Sequence, residues 1–432
     1  MFNKSIIILA AGAGTRMKSD TPKVLHKISG KAMLYYSIKE ALKLSDDITV
    51  VLFHQAARVQ AEMEKYFTNI NFVIQDHANY PGTGGAVMNI TPKYEKVLVL
   101  NGDMPLIQSS ELEKFDIEAT IVMSVLELDS ADGYGRVIIE NGNVKKIVEQ
   151  KDANTSELAV TTANAGIYQF ETKFLLENLA KLNNNNAQKE YYITDLIEMA
   201  IEQGKVLKPL VVNEENFKGV NSKVELADAE VIHQNRIKKE FLKAGVIMRL
   251  PDTIYIEEGV EIEGESIIEN GVSLLGNSKI INSHIKTNSV VEDSIVRDSD
   301  VGPMARIRPG SDLNKTHIGN FVETKKAILN GVKAGHLSYL GDCTIDEGTN
   351  IGCGTITCNY DGVNKHQTII GKNVFVGSDT QFVAPVNIED DVLIGAGSTV
   401  TGNVKKGELY LTRAKAKTID GYFYKHFSSK KK

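Results

Sequence analysis

At 432 residues and a net charge of −6, this chain is too long for one ordinary core and too acidic to offer nucleic acid a basic field. Its three cysteines, Cys343, Cys353 and Cys358, fit no zinc spacing and read as free thiols in a reducing cytoplasm. No apolar run approaches about 18 residues, which excludes a helical membrane span.

The first 220 residues alternate between two patterns. Runs rich in β-branched residues at 5–9, 48–53, 71–74 and 97–100 are interleaved with helical spacing at about 31–44, 54–66 and 83–90. That order predicts parallel strands with helices on both faces, a doubly wound, Rossmann-like α/β sheet whose ligands collect beyond the carboxyl ends of the strands. The first strand runs into Leu9-Ala10-Ala11-Gly12-Ala13-Gly14-Thr15-Arg16, where small residues let backbone N–H groups approach a phosphate chain. Arg16 adds charge to that loop, and Pro22-Lys23 brings a second cation near it. Gln75, Gly82-Thr83-Gly84 and Asn101-Gly102-Asp103 follow at later strand ends. Asp103 leaves an apolar strand at the ligand edge, a place that suits Mg²⁺ on phosphate oxygens or, alternatively, a helix N-cap.

The four asparagines at 183–186 read as a loop, and 191–200 resumes a helical pattern. Residues 223–244 are charged and free of Gly and Pro; they predict a connecting helix ended by Gly245, with Val224, Ala227, Val231 and Ile232 on one side.

Beyond Gly245 the period changes. Ile370, Val376, Phe382, Ile388, Ile394 and Val400 fall at every sixth position, and the same beat runs through Ile256, Ile262, Ile268, Leu274 and Ile280 and returns at Ile345 and Ile351. Helices repeat at 3.6 and strands at 2, so this spacing predicts stacked short strands with tight corners, a parallel β-helix of hexapeptide repeats. Gly371, Gly377 and Gly395 each follow one of these residues and read as turn positions. Residues 18 apart should stack at strand spacing, giving about eight coils. Residues 357–367 break the beat and read as a loop leaving one corner; 409–432 lose it and read as a basic, solvated tail. A prism filled with apolar side chains has no cavity of its own, so its sites belong on outer faces and between copies.

Residues 9–17 with Lys23, Gly82-Thr83, Asn101-Gly102-Asp103 and Gly133-Tyr134-Gly135 resemble the sugar-1-phosphate nucleotidyltransferase family. With the C-terminal repeats, the resemblance narrows, over nearly the whole chain, to the bacterial bifunctional N-acetylglucosamine-1-phosphate uridyltransferase/glucosamine-1-phosphate acetyltransferases. It implies acetylation of glucosamine-1-phosphate by acetyl-CoA, then transfer of UMP from UTP to the acetylated sugar phosphate with release of pyrophosphate. It also implies a homotrimer and a left-handed β-helix. By the same resemblance Leu9, Ala10, Ala11, Gly12, Gln75, Gly82, Thr83, Asn101 and Gly102 would hold the uridine nucleotide. Gly135, Glu149 and Asn164 would hold the N-acetylglucosamine, and Asp103 with Asn221 would hold Mg²⁺. Arg16 and Lys23 would neutralise charge in a transfer that works by positioning and electrostatics, without a protein nucleophile. In the nucleotidyltransferase half three features depart from the family pattern: Asn101 replaces a common Tyr, two extra residues separate Gln75 from Gly82, and Ala165 replaces a usual Thr; in the repeats Cys353 stands where Ala is common.

In the repeats the resemblance assigns glucosamine-1-phosphate to Arg308, Lys325, Tyr339 and Asn350, the two cations gripping its phosphate. His336 would be the general base that takes the amine proton as the amine attacks the thioester, with Glu323 a candidate to orient the imidazole. Acetyl-CoA would lie along Cys353, Asn359, Tyr360, Ser378, Ala396 and Arg413, the last meeting CoA phosphates. The rival reading is a nucleotidyltransferase with a non-catalytic β-helix scaffold, which gives no reason for Arg308, Lys325, His336 and Asn359-Tyr360 to occur together. The expected organisation is a uridyltransferase domain at 1–222, a connecting helix at 223–244, a β-helix acetyltransferase domain at 245–408 and a tail at 409–432. Its partners are expected to be small-molecule substrates and copies of itself, with no nucleic acid or membrane.

Overall fold

Successive residues of the first strand, β1 (Lys4–Ala10), are buried on opposite sides of one sheet: Ile6 and Ile8 join one apolar cluster and Ile7 the other. A strand covered on both faces reads as an unbroken apolar run, which is why 5–9 shows no alternation. The computed structural model describes residues 3–12, 14–131, 135–148, 150 and 153–428. It divides into two units, Met1–Gln234 and Asn235–Lys432.

In the first unit β1 pairs in parallel with β2 (Ile48–Leu52), which pairs in parallel with β3 (Asn71–Ile74); on its other edge β1 pairs in parallel with β4 (Lys96–Asn101). Helices α1 (Met33–Leu42) and α2 (Ala56–Met63) cover one face through Leu34, Ile38, Val59 and Met63, and α3 (Gly82–Val87) lies on the other. The strand order 3-2-1-4 reverses at β1, so a crevice opens beyond the carboxyl ends of β1 and β4. Residues 9–12 and 101–103 stand at that crevice.

Past residue 101 the expected alternation ends. β5 (Ile121–Glu127), the hairpin of β6 (Arg136–Glu140) and β7 (Asn143–Val148), β8 (Thr162–Glu171) and β9 (Leu207–Val211) complete a nine-stranded sheet. β8 runs antiparallel between β4 and β5, so the sheet is mixed. A hairpin and one helical turn, Thr155–Leu158, lead into β8, and only a longer crossover would return the chain in the parallel sense.

Helix α4 (Lys223–Lys243) forms as expected, but its packed side differs from the apolar one read in the sequence. Val224 and Val231 are exposed, while Ala229, Gln234 and Lys238 are buried. Within the first unit Ser29 donates its N–H to both oxygens of Glu230 at 2.9 and 3.1 Å, and Gln234 Nε2 donates to Ser29 Oγ at 2.9 Å. Within the second, Lys238 Nζ donates to the Pro251 carbonyl at 2.9 Å, and burial lowers its pKa. Leu226, Ala229 and Ile232 pack in the first unit and Ile237 and Phe241 in the second, so of the expected apolar side only Ile232 lies on the packed one, and hydrogen bonds add to the anchoring.

The second unit is a three-faced prism of short parallel strands. Its first face stacks ten rungs, from Ile247–Met248 to Leu409–Tyr410. The other two faces share the long strands Glu323–Asn330 and Tyr339–Ile345, which turn the corner between them. All six residues of the leading repeat are buried in the core. Where the beat is regular, partners are eighteen residues apart, as with Ile262 and Ile280 or Phe382 and Val400. In the middle they are sixteen or seventeen apart, as with Val291 and Ile307 or Val296 and Leu313. Tight corners there are made by Asn288, Asp293 and Asp298 with φ of 57, 40 and 46°, residue types that tolerate the left-handed region. The shortened coils silence the sixfold period between Ile280 and Ile345 and fit more coils into the chain than eighteen-residue turns allow. The loop 359–367 makes one coil long, so that Ile345 pairs with Ile370.

Gly371 and Gly377 are not turn glycines. Neither is left-handed; a Cβ on Gly377 would stand 2.4 Å from Ala396 N, and one on Gly371 would stand 2.4 Å from Asp390 Oδ1. The next coil, and not the bend, excludes a side chain.

On the outer faces, polar side chains bond from coil to coil. Glu269 accepts from Thr287 Oγ1 at 2.8 Å, from Thr287 N at 3.0 Å and from His284 Nε2 at 2.9 Å. Chiefly through the Thr287 hydroxyl, and against the opposing effect of burial, its carboxyl falls from 4.5 to about 2. A group with a depressed folded-state pKa stabilises above its unfolded value and loses that contribution as pH falls toward the folded one. Glu269→Gln should therefore flatten the decline in Tm between pH 4.5 and about 2. Thermal scans across that window giving parallel curves for both proteins would reject this contribution.

After Tyr410 the chain leaves the stack and ends in a helix, Tyr422–Ser428, with Tyr422, Phe423, Tyr424 and Phe427 exposed. Among the described residues, no helix is long and apolar enough to cross a membrane.

Candidate active sites

Two clefts meet beyond the ends of β1 and β4. One, of about 410 Å³, is lined by Leu9, Ala10, Ala11, Gly12, Lys23, Gln75, Gly82 and Thr83. The other, of about 570 Å³, is lined by Arg16, Asn164, Ala165, Gly219, Asn221 and Glu225. Asn101 and Asp103 border both.

Asp103 is fixed there by its neighbours. Gly102 donates its N–H to the Leu9 carbonyl at 2.9 Å and packs so closely that a Cβ would lie 3.2 Å from that of Ala10. The Asp103 carbonyl accepts Val220 N–H at 2.9 Å. Its carboxylate forms an ion pair with Lys23 Nζ, which also donates to Asn221 Oδ1 at 3.1 Å; Arg16 Nη2 reaches the same oxygen at 3.0 Å. Asp103 caps no helix, since the next one begins at Ser109 behind Gln108. Gly14 serves the lysine: at φ 62° it lies where a Cβ would stand 2.5 Å from Lys23 Cβ.

Asp103 Oδ2 and Asn221 Oδ1 thus converge on one positive charge, the Lys23 ammonium. One anionic and one neutral oxygen gathered on a single cation fit Mg²⁺, which takes few protein ligands and completes its shell with phosphate and water. Among the described residues no group of three or more His, Cys, Asp or Glu could hold a metal alone.

The three departures from the family pattern have local explanations. Asn101 Nδ2 donates to the Gly166 carbonyl at 3.1 Å and so ties β4 to the irregular stretch of β8. The longer segment after Gln75 wraps its amide, whose Nε2 donates to the carbonyls of Tyr80 at 2.9 Å and Gly82 at 3.0 Å. Ala165 is buried beside Asn164, whose Nδ2 donates to Tyr168 Oη at 2.7 Å and whose backbone N–H meets the Gly135 carbonyl at 3.2 Å. Glu149, like Gly133 and Tyr134, lies outside the described residues. Phe53 and His77, which no motif marks, line the first cleft as a stacked pair with ring centroids 4.4 Å apart; two strand ends bring them together.

On the prism, Arg308, Lys325 and Tyr339 stand on consecutive rungs of the second face, with Arg308 in register with Lys325 and Glu323 in register with Tyr339. Arg308 Nη1 donates to Glu323 Oε1 at 2.6 Å, so the carboxylate expected to orient His336 holds the arginine. Lys365, from the loop 359–367, comes close enough to lower the Lys325 pKa, and Arg308 adds to the effect. Cations crowded in this way suit a phosphate. The sequence reading missed Lys365 because only the folded loop carries it to Lys325. Asn350 stands on the first face instead, in register with Lys333.

His336 is exposed at the end of the rung Lys333–His336, at the corner between first and second faces. Cys353, Ser378 and Ala396 occupy the same corner of the next three coils: Ile351 pairs with Val376 and Val376 with Ile394, and each site residue lies two positions on. The coils are linked there by Asp379 N–H to the Cys353 carbonyl at 2.7 Å and Gly397 N–H to the Ser378 carbonyl at 2.8 Å. Arg413 Nη2 ends the column on the Ala396 carbonyl at 3.2 Å. Asn359 is buried with its amide on Asp342, and Tyr360 is exposed beside it.

Known proteins share this organisation. Residues 6–116 match the family model of the MobA-like NTP transferase domain, and residues 367–402 match that of the bacterial transferase hexapeptide (six repeats). The bifunctional protein GlmU of Aliarcobacter butzleri is 91% identical over 100% of both chains. That of Wolinella succinogenes is 62% identical over 99% of this chain and 100% of its own. That of Nitratiruptor sp. is 60% identical over 98% of this chain and 99% of its own.

Proposed function

From its membership of the GlmU family of bifunctional proteins, to which this chain belongs, we propose that it makes UDP-N-acetylglucosamine by two reactions at two separate sites. The observation that carries this reading is the presence, in one chain, of the Lys23–Asp103–Asn221 cluster on the sheet and, on the prism, of the Arg308–Lys325–Lys365 cluster together with an exposed His336.

On the prism, residues 245–408, the three cations take the phosphate of glucosamine-1-phosphate. Acetyl-CoA lies along the corner column with its phosphates toward Arg413 and its thioester toward His336. His336 removes a proton from the amine as nitrogen attacks the acetyl carbon; the carbon–sulfur bond breaks, and CoA leaves as the thiol after its sulfur takes that proton from the imidazolium. Asn350, on a different face from Arg308, Lys325 and Tyr339, is a reason for copies to pack, and the chain acts as a homotrimer in the cytoplasm.

On the sheet, residues 1–222, UTP fills the cleft at 9–12, Gln75 and Thr83, and the acetylated sugar phosphate fills the one at Asn164. The clefts meet at Asn101 and Asp103, where the sugar phosphate oxygen attacks the α-phosphorus and pyrophosphate leaves in line. Arg16 and Lys23 offset the repulsion between two anions, and Asp103 with Asn221 would hold Mg²⁺. When bound, that ion supplies charge neutralisation at the phosphoryl oxygens. Lys23, which contacts Asp103 and Asn221, would be the cation at hand for the phosphates.

Incubation of the protein with glucosamine-1-phosphate, acetyl-CoA, UTP and Mg²⁺ should yield UDP-N-acetylglucosamine by mass, and omission of UTP should stop the sequence at N-acetylglucosamine-1-phosphate. Formation of UDP-sugar from the acetylated substrate alone, without any acetyl transfer, would leave the prism a scaffold.

A further inference from the structure

We infer that Glu225 is a positioning residue for uridyl transfer, holding the backbone of Asn221 so that its side-chain oxygen faces Asp103. The inference rests on the reading of Asn221 as a metal ligand. Asn221 lies one residue before Ser222, which itself precedes the first turn of α4. Glu225 reaches back across that turn: its Oε2 accepts the Asn221 N–H at 2.7 Å and the Ser222 hydroxyl at 3.0 Å, while its own N–H goes to Ser222 Oγ at 3.2 Å. An ordinary capping box ends on the residue just before the helix; this one extends a position further, onto the site residue itself.

On the other flank Val220 N–H bonds the Asp103 carbonyl at 2.9 Å. The stretch bearing Asn221 is therefore pinned once to the residue it must face and once to α4. Gly219, just upstream, is the point about which it would swing, and a Cβ there would come only within 3.7 Å of Asp103 Oδ1 and of Asn221 Nδ2. Without the Glu225 bond the Asn221 N–H loses its acceptor, and Oδ1, now shared by Arg16 and Lys23, loses its fixed direction. Glu225 lines the same cleft as Asn221 and Asp103.

The test uses the full chain and Glu225→Ala, Glu225→Gln and Asn221→Ala. Mn²⁺ binding to the UTP-loaded protein is followed by electron paramagnetic resonance, alongside the half-saturating Mg²⁺ for uridyl transfer and the acetyl transfer rate of the same samples. Glu225→Ala should weaken Mn²⁺ binding and raise the Mg²⁺ requirement by about tenfold, within the range for groups that orient metal ligands, with acetyl transfer unchanged. Glu225→Gln keeps an acceptor for the Asn221 N–H and should recover to within about threefold of the parent. Asn221→Ala separates the two ideas: if it leaves Mn²⁺ binding intact, the assignment of Asn221 to the metal falls. If it weakens binding while Glu225→Ala matches the parent, the role of Glu225 is overturned. Equal losses in Glu225→Ala and Glu225→Gln overturn it too, since charge and not the hydrogen bond would then be responsible.

Discussion

His336→Ala should lower kcat/KM for acetyl transfer by about 10³-fold, roughly 4 kcal/mol of transition-state stabilisation, and leave uridyl transfer unchanged. An amine attacking a thioester must shed a proton, and His336 is the imidazole at the corner where the proposed coenzyme column begins. The side chain is exposed at a strand end, so its truncation opens no cavity in the prism and should move stability by no more than about 0.5 kcal/mol. Binding of the sugar phosphate should persist, because Arg308, Lys325 and Lys365 are untouched. The measurement is the rate of thiol release from acetyl-CoA beside the rate of pyrophosphate release from UTP, on one preparation. Loss of both rates in a folded protein would contradict two independent sites.

Asp103→Asn should do the reverse, cutting uridyl transfer by at least about 10²-fold while acetyl transfer continues. The substitution preserves shape and removes one negative charge. Lys23, only 14% exposed, loses its ionic partner, and the proposed cation site keeps two neutral oxygens in place of one charged and one neutral. The loss should shrink as Mg²⁺ is raised, since a weakened ligand set is refilled by mass action. A variant equally impaired at every Mg²⁺ concentration would mean that Asp103 serves some purpose other than gathering the cation.

Much of this was legible before folding. The sixfold beat named the prism, and the strand-end motifs placed 9–12 and Asp103 at the crevice, because a buried strand and a repeating coil leave periodic marks in the sequence. What stayed hidden has a common cause: it depends on residues that meet only in three dimensions. The antiparallel entry of β8 leaves no local signature, and the coils between Ile280 and Ile345 fall out of period because their corners shorten. Helix α4 misled for a different reason: beside Ala229, Ile232, Ile237 and Phe241 it also packs through Glu230, Gln234 and Lys238, and polarity patterns register only apolar burial. In the sites, Glu323 grips Arg308 and Lys365 crowds Lys325; neither pairing can be read from spacing alone.

The corner shared by His336, Cys353, Ser378 and Ala396 makes the prism a measuring rod. Each graduation is one turn of the chain, so three turns at about 4.8 Å set aside roughly 14 Å between the imidazole and the last of these residues. An extended coenzyme fits such a scale only if its length suits a whole number of turns. Growth or loss of a repeat at either extremity of the stack would leave that interval alone, whereas a repeat gained or lost inside it would shift the proposed coenzyme site relative to the proposed base.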